Sequence, residues 1–314
     1  MFRINYLLKK PSEITPWGEV HPTLHWFGLT DGLLWIEIGD SVIYEYAKAH
    51  ADEKGNLIKY NDYQLSRFLE DFSDILPCVS ESIPRTLYDA VESFEKDTEA
   101  WKDLYSDKDD EAFDEFYFGE YETLTSWFYD CCLDSGHLIE GPHIGCFRCG
   151  DNIKILWGSV IPGSDKLSSI WKYPSGCVEI SYSEFVAEVQ RFFSSFHKDM
   201  DKQVEDVVSS GISGVEVDTD GLVRENRSRK DVFSQKVDSL RSVDGCVTDW
   251  KAITDLYAKM RVEIKRVLPV DTIVHCWLGI MSILSLPVVV LHSPQPISRA
   301  TLISCLTIMC ARFM

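Results

Sequence analysis

Two stretches of alternating apolar residues, each broken by a Gly/Asp dipeptide, restrict the fold of this 314-residue chain more than any other feature. The first is LHWFGLTDGLLWIEIGD, residues 24–40, and the second is HIGCFRCGDNIKILWG, residues 143–158. Alternation places every second side chain on one face of a strand, and such dipeptides suit tight hairpin turns that need φ > 0. A turn at Asp31-Gly32 would pair Leu29 with Leu34, Phe27 with Ile36 and His25 with Ile38. A following turn at Gly39-Asp40 would bring Ile36 to Ile43 and Trp35 to Tyr44. In the second stretch, a turn at Gly150-Asp151 pairs Arg148 with Ile153, Cys146 with Ile155 and Ile144 with Trp157. SGCVEIS, residues 175–181, supplies a further strand.

Between and after these stretches the apolar period changes to that of a helix. Residues 61–76, 84–106 and 110–134 read as helices, the last with an aromatic stripe through Phe113, Phe116, Tyr117, Tyr121, Leu124 and Phe128. Pro84 suits a first helical position. Ser181 and Glu184 form an S-x-x-E capping box, after which Phe185, Val189, Phe192, Phe193 and Phe196 make a buried stripe. Gly211 marks the end of that helix. Residues 209–229 read as a loop or short hairpin, and 227–242 and 249–265 as helices. The expected fold class is α+β, with antiparallel β meanders packed against several helices, one of them a long covering helix. The expected organisation is one soluble domain over residues 1–265, with an acidic helical portion at 61–134, followed by an apolar tail at 266–314.

Charge narrows the partners. The formal net charge is −19, and residues 61–140 alone hold 22 acidic against 5 basic residues, or −17. Phosphate backbones are bound through Lys and Arg, so a nucleic acid is not the expected partner. A basic protein is, since an acidic surface steers a basic one onto it. The N-terminus MFRINYLLKKPSE has no apolar signal-peptide core, and ten cysteines in a chain this long read as reduced thiols. A cytoplasmic protein is expected.

Chemistry-bearing patterns are few. Cys146-x-x-Cys149, with His137 and His143 near in sequence, invites a zinc site. On a strand, however, residues i and i+3 face opposite ways and lie about 10 Å apart. No metal and no cofactor are therefore expected. Nucleophile elbows, phosphate loops and dinucleotide fingerprints do not occur. His25 and the junction residues Asp134, His137 and Arg148 remain as binding candidates. The bland expectation for the junction is an internal Arg148–Asp134 pair, because an Arg on an apolar strand face needs a carboxylate.

Residues 267–314 change character, with Asp271 the only acid. Thr272–Leu291 is an apolar run of a length that can span a bilayer, and Lys259, Arg261, Lys265 and Arg266 precede it. Three readings stand open: translation in a shifted frame, a membrane tail that would leave the acidic domain cytoplasmic, and a buried core element.

The segments ITPWGEV and LHWFGLTDG, with LDSGHLIEGPHIGCFRCGDNIKILWG at 133–158, resemble an uncharacterised bacterial family of unknown function over roughly residues 1–265. That family's pattern has bulky aromatics where this chain has Cys146 and then Phe147, so Cys146 is read as filling an apolar position. The resemblance brings no catalytic residues. It is similar to small bacterial proteins of toxin-immunity neighbourhoods. The expected function is thus a non-enzymatic, immunity-like acidic protein that binds a basic protein partner. The alternatives are a hydrolase-type enzyme using the His/Asp/Arg candidates and a tail-anchored membrane protein.

Overall fold

Strand β2 (Asp31–Ile38) organises the N-terminal half of the computed structural model, which describes residues 1–51, 55–158, 170–241 and 248–267. Its residues Gly32–Ile38 pair antiparallel with β1 (Phe2–Leu8), from Phe2↔Ile38 to Leu8↔Gly32. Its other side is shared. Asp31–Leu34 pair with β5 (Leu57–Gln64), and Ile36–Ile38 pair with β3 (Ser41–Ile43), where Ile36 meets Ile43 as the alternation requires. β4 (Glu45–Ala51) pairs with β5 and completes the sheet.

The first expected hairpin does not form. Trp26–Leu29 is one helical turn, α1, and Asp31 and Gly32 open β2 instead of turning the chain. Gly32 is not among the positive-φ glycines. It is needed because β1 approaches so closely that a Cβ there would overlap the carbonyl oxygen of Leu7. The expected pairs of Phe27 with Ile36 and His25 with Ile38 are replaced by Ile4↔Ile36 and Phe2↔Ile38. Nor does Trp35 meet Tyr44. Tyr44 takes φ 67 just past β3, and Trp35 stacks on Tyr60 with ring centroids 4.4 Å apart.

The second sheet runs β6 (Cys132–Leu133), β7 (His143–Cys149), β8 (Asn152–Gly158) and β9 (Gly176–Ser181). Its β7–β8 register is the one the alternation specifies, with Ile144↔Trp157, Cys146↔Ile155 and Arg148↔Ile153. Gly150 sits in the turn at φ 61. Phe2, Ile4, Ile36 and Ile43 of the first sheet and Leu133, Ile144, Cys146 and Ile155 of the second line one small apolar gap. Phe68 and Phe72 of α2 (Leu65–Val79) close it, so both sheets and α2 share a core.

Helices follow the sequence with shifted ends. The expected helix at 61–76 begins only at Leu65, because residues 61–64 belong to β5. The stretch 84–106 divides into α3 (Arg85–Tyr88) and α4 (Val91–Asp103). The stretch 110–134 divides into α5 (Asp110–Phe116), a π-helical turn (Tyr117–Tyr121) and α6 (Glu122–Asp130), with Cys132 and Leu133 in a strand. α7 (Tyr182–Ser210) is the long covering helix. Ser181 caps it by accepting the Glu184 N–H, and its stripe of Phe185, Val189, Phe192, Phe193 and Phe196 is buried.

Residues 219–229, expected to be loop or hairpin, belong to α8 (Thr219–Ser239). The Asp218 side chain caps this helix, and the buried Trp26 indole donates to Asn226 Oδ1 at 2.9 Å. α9 (Trp250–Val267) closes the described chain. The compact unit is Met1–Ile264, and a second begins at Lys265. Thr272–Leu291 lies outside the described residues. Among those described, no helix is long and apolar enough to cross a membrane.

Candidate functional site

The four candidate side chains do not converge. His25 is the residue before α1, half-buried, with its ring against the Trp17 edge at 4.4 Å and Phe27 at 6.3 Å. Asp134 is exposed, accepts the Gly136 N–H at 2.7 Å and lies 3.7 Å from His143 Nε2. Arg148 does not pair with Asp134. Its Nη1 donates to the Ser80 carbonyl at 2.5 Å and its Nε to the Gly150 carbonyl at 3.0 Å, with the guanidinium 4.0 Å from the Tyr182 ring. The end of α2 presents carbonyls without helical partners, and an Arg fork satisfies one of them.

His137 faces another way, into a cleft of about 780 Å³. Tyr46, Ala47, Lys48 and His50 of β4 and Asn61, Asp62 and Tyr63 of β5 form its sheet side. His137–Ile139 and Ile170–Trp171 close it. The 170–172 segment is held on β4 like a short added strand, with Ala47 N donating to Ile170 O and Lys172 N to Glu45 O, both at 2.8 Å. Trp171 is buried, stacks on Tyr46 at 4.8 Å and donates its indole N–H to the Glu140 carbonyl at 2.9 Å. Tyr63 and His137 make a second ring pair at 5.1 Å.

The polar lining is uneven. Asp62 pairs with Lys9 at 2.8 Å, and Lys9 is shared with Asp31 at 3.2 Å. Burial pushes the Asp31 carboxyl up despite that lysine. Burial and then the nearby Arg67 charge hold His137 below its ordinary value, so it is neutral at neutral pH. Its Nδ1 lies 3.9 Å from Asp71, beyond hydrogen-bond reach for a base and its orienting carboxylate. Among the described residues the lining contains no Ser, Thr or Cys. Asn61 is 4 % exposed, and its Oδ1 has no hydrogen-bond partner among the described residues.

The cysteine motif lies elsewhere. Cys146 is buried in the shared core, its thiol pushed up to about 12 by desolvation. Cys149, three residues along β7, is half-buried. Among the described residues no group of three or more His, Cys, Asp or Glu side chains could hold a metal ion.

A second surface is defined by charge. Asp107, Asp109, Asp110, Glu111, Asp114 and Glu115 fall within nine residues, all are exposed, and none forms an ion pair among the described residues. Asp109 does cap α5 by accepting the Ala112 N–H. Nearby acids are compensated: Glu99 by Lys102, Glu120 by Lys259 and Asp97 by Arg261. The run leads into the π-helical turn, where Phe118 is 67 % exposed. Phe113 stacks on Tyr117 at 5.8 Å, and Tyr117 lies edge-on to Phe118 at 5.2 Å. With Lys108 as its one basic residue, the ridge therefore offers a net negative charge beside an aromatic anchor, and π turns recur at functional sites.

A family profile matches residues 3–256. The chain belongs to DUF5984, a family of unknown function. The cleft and the acidic ridge both fall inside the DUF5984 region, which ends within α9. No curated protein and no solved structure matches the chain.

Sequence patterns pointed to the acidic segment and to His137. They missed Asn61, Tyr46 and Trp171, which lie on three separate segments and share no motif. A polar Asn amid the alternation of β5 is the one local signal that could have drawn attention there.

Proposed function

We propose that this protein binds a basic protein partner through the ridge of residues 107–118. The observation that carries the reading is the run of six exposed carboxylates without ion-pair partners among the described residues, contiguous with exposed Phe118. A face that served only solubility would need no aromatic anchor. A contact with a basic protein uses both parts, the charge for encounter and the ring for residence. The class described is a protein that sequesters or neutralises its partner, in the manner of an immunity protein.

Affinity capture from the source cell's lysate tests this, using the full chain, Phe118→Ala, and the combined Asp110→Asn, Glu111→Gln, Asp114→Asn, Glu115→Gln variant. The expected result is one basic protein retained by the unaltered chain at low salt, lost on raising salt, and weakened by either variant. Retention of the same proteins by all three chains would overturn the reading. So would the absence of any retained protein.

A further inference from the structure

We infer that a cavity between α4 and the face of the second sheet turned away from the shared core binds a small aliphatic primary amine as its ammonium ion. The cavity measures about 360 Å³, at the lower end of the range for small-ligand pockets. The strand register builds its floor. Gly145, Leu156 and Cys177 fall in one row across β7, β8 and β9, and His143 lies opposite Gly158. Two of these positions carry no side chain. A Cβ at Gly145 would overlap the Phe147 ring, whereas a Cβ at Gly158 would meet only Ser175 at 3.8 Å, in ordinary contact. Val91 and Phe128 add apolar wall, and Glu92 and Glu95 of α4 supply the carboxylates.

Glu95 sets the charge of the ligand. It is half-buried and its carboxylate oxygens keep accessible surface, so an entering group can reach them. Among the described residues these oxygens accept no hydrogen bond, and no basic side chain lies within 4.0 Å of them. The carboxylate is turned to the cavity, because its charge acts on the His143 imidazole and on the Cys132 thiol, and both groups line that space. Burial pushes the Glu95 carboxyl up, with His143 opposing and Glu99 adding to the rise. The neighbouring charges have partners already. Lys154 pairs with Glu92 at 3.0 Å, and His143 Nε2 lies 3.7 Å from Asp134. A half-buried carboxylate without a partner gains most from a cation that also donates hydrogen bonds. An ammonium does both, and its short alkyl chain matches the Val91, Phe128 and Leu156 surface.

Calorimetric titration of the full chain with butylamine and with butanol, near neutral pH, tests the inference. The expected result is saturable butylamine binding, tighter than that of butanol by roughly 10-fold or more. Glu95→Gln keeps the shape of the side chain and should remove that preference. Gly158→Leu should weaken both ligands by filling the cavity, and thermal melting of each variant separates lost binding from lost folding. Equal binding of amine and alcohol would overturn the inference, as would the absence of butylamine binding at millimolar concentration. Amine binding that survives Glu95→Gln unchanged would also overturn it, because the ammonium would then sit on acids elsewhere on the surface.

Discussion

Glu188 accepts the backbone N–H of Ile4 at 2.7 Å, from a helix to an outer sheet strand. Arg191, one turn along α7, pairs with Glu188 and donates to the carbonyl of the same Ile4. Glu184 repeats the device at Phe2, accepting its N–H at 2.9 Å. The open edge of β1 is thus occupied by side chains of the covering helix, which removes a template for edge-to-edge pairing. Glu188 is 5 % exposed, so its charge relies on Arg191, on Arg3 at 3.6 Å and on this N–H.

Glu188→Ala is expected to lower unfolding stability by about 3 kcal/mol, because it leaves a guanidinium and a backbone N–H without their acceptor. Urea unfolding near neutral pH measures this. The Glu188→Ala, Arg191→Ala double variant should lose less than the sum of the two single losses. Additive losses would mean that the pair does not act as a unit.

His197 makes stability depend on acid. It is 5 % exposed among Phe193, Phe196 and Phe233, and neither ring nitrogen has a hydrogen-bond partner among the described residues. Burial first, and then the Lys230 charge, lower its pKa from 6.5 to about 4, with Asp201 opposing. A lowered histidine value means that the unfolded chain binds the extra proton first. This contribution is therefore fully present above pH 6.5 and is lost as pH falls from 6.5 through about 4. The loss should reach about 3 kcal/mol at most, and His197→Phe should flatten the slope in that window. An unchanged slope in the variant would contradict the assignment.

Gly32 and Gly119 make a contrasting pair. Gly32→Ala is expected to destabilise by about 1–3 kcal/mol, since the new Cβ meets the Leu7 carbonyl across the β1–β2 pairing. Gly119→Ala, where nothing lies within 4 Å and φ is not positive, should stabilise by about 0.5–1 kcal/mol. Thermal unfolding of both variants checks the signs. A stabilising Gly32→Ala would mean that β1 is not seated against β2 as described.

The sequence-to-structure comparison turns on the range of the contacts. The β7–β8 register was legible because a Gly-Asp turn and an alternating pattern lie within sixteen residues. The cap and stripe of α7 were legible for the same reason. The partner of β2 was not. Phe2↔Ile38 joins distant parts of the chain, and Asp31-Gly32 resembles a local turn closely enough to supply a false neighbour. α8 was missed at its start because its first turns are polar, and it is held by Trp26 to Asn226 and by Arg229 to Glu70, contacts across most of the chain. The sites follow the same division. The acidic ridge is one continuous segment and reads directly from the residues, whereas the cleft is assembled from four.

A photo-cross-linking amino acid at position 118, in the full chain expressed in its own cells, tests the partner-binding account most directly. The control carries the same group at Val20, which is exposed outside the acidic segment. The account expects one basic protein cross-linked from position 118, not from position 20, with the yield reduced when Asp110, Glu111, Asp114 and Glu115 are neutralised. No cross-link from position 118, or one that persists unchanged after neutralisation, would contradict it.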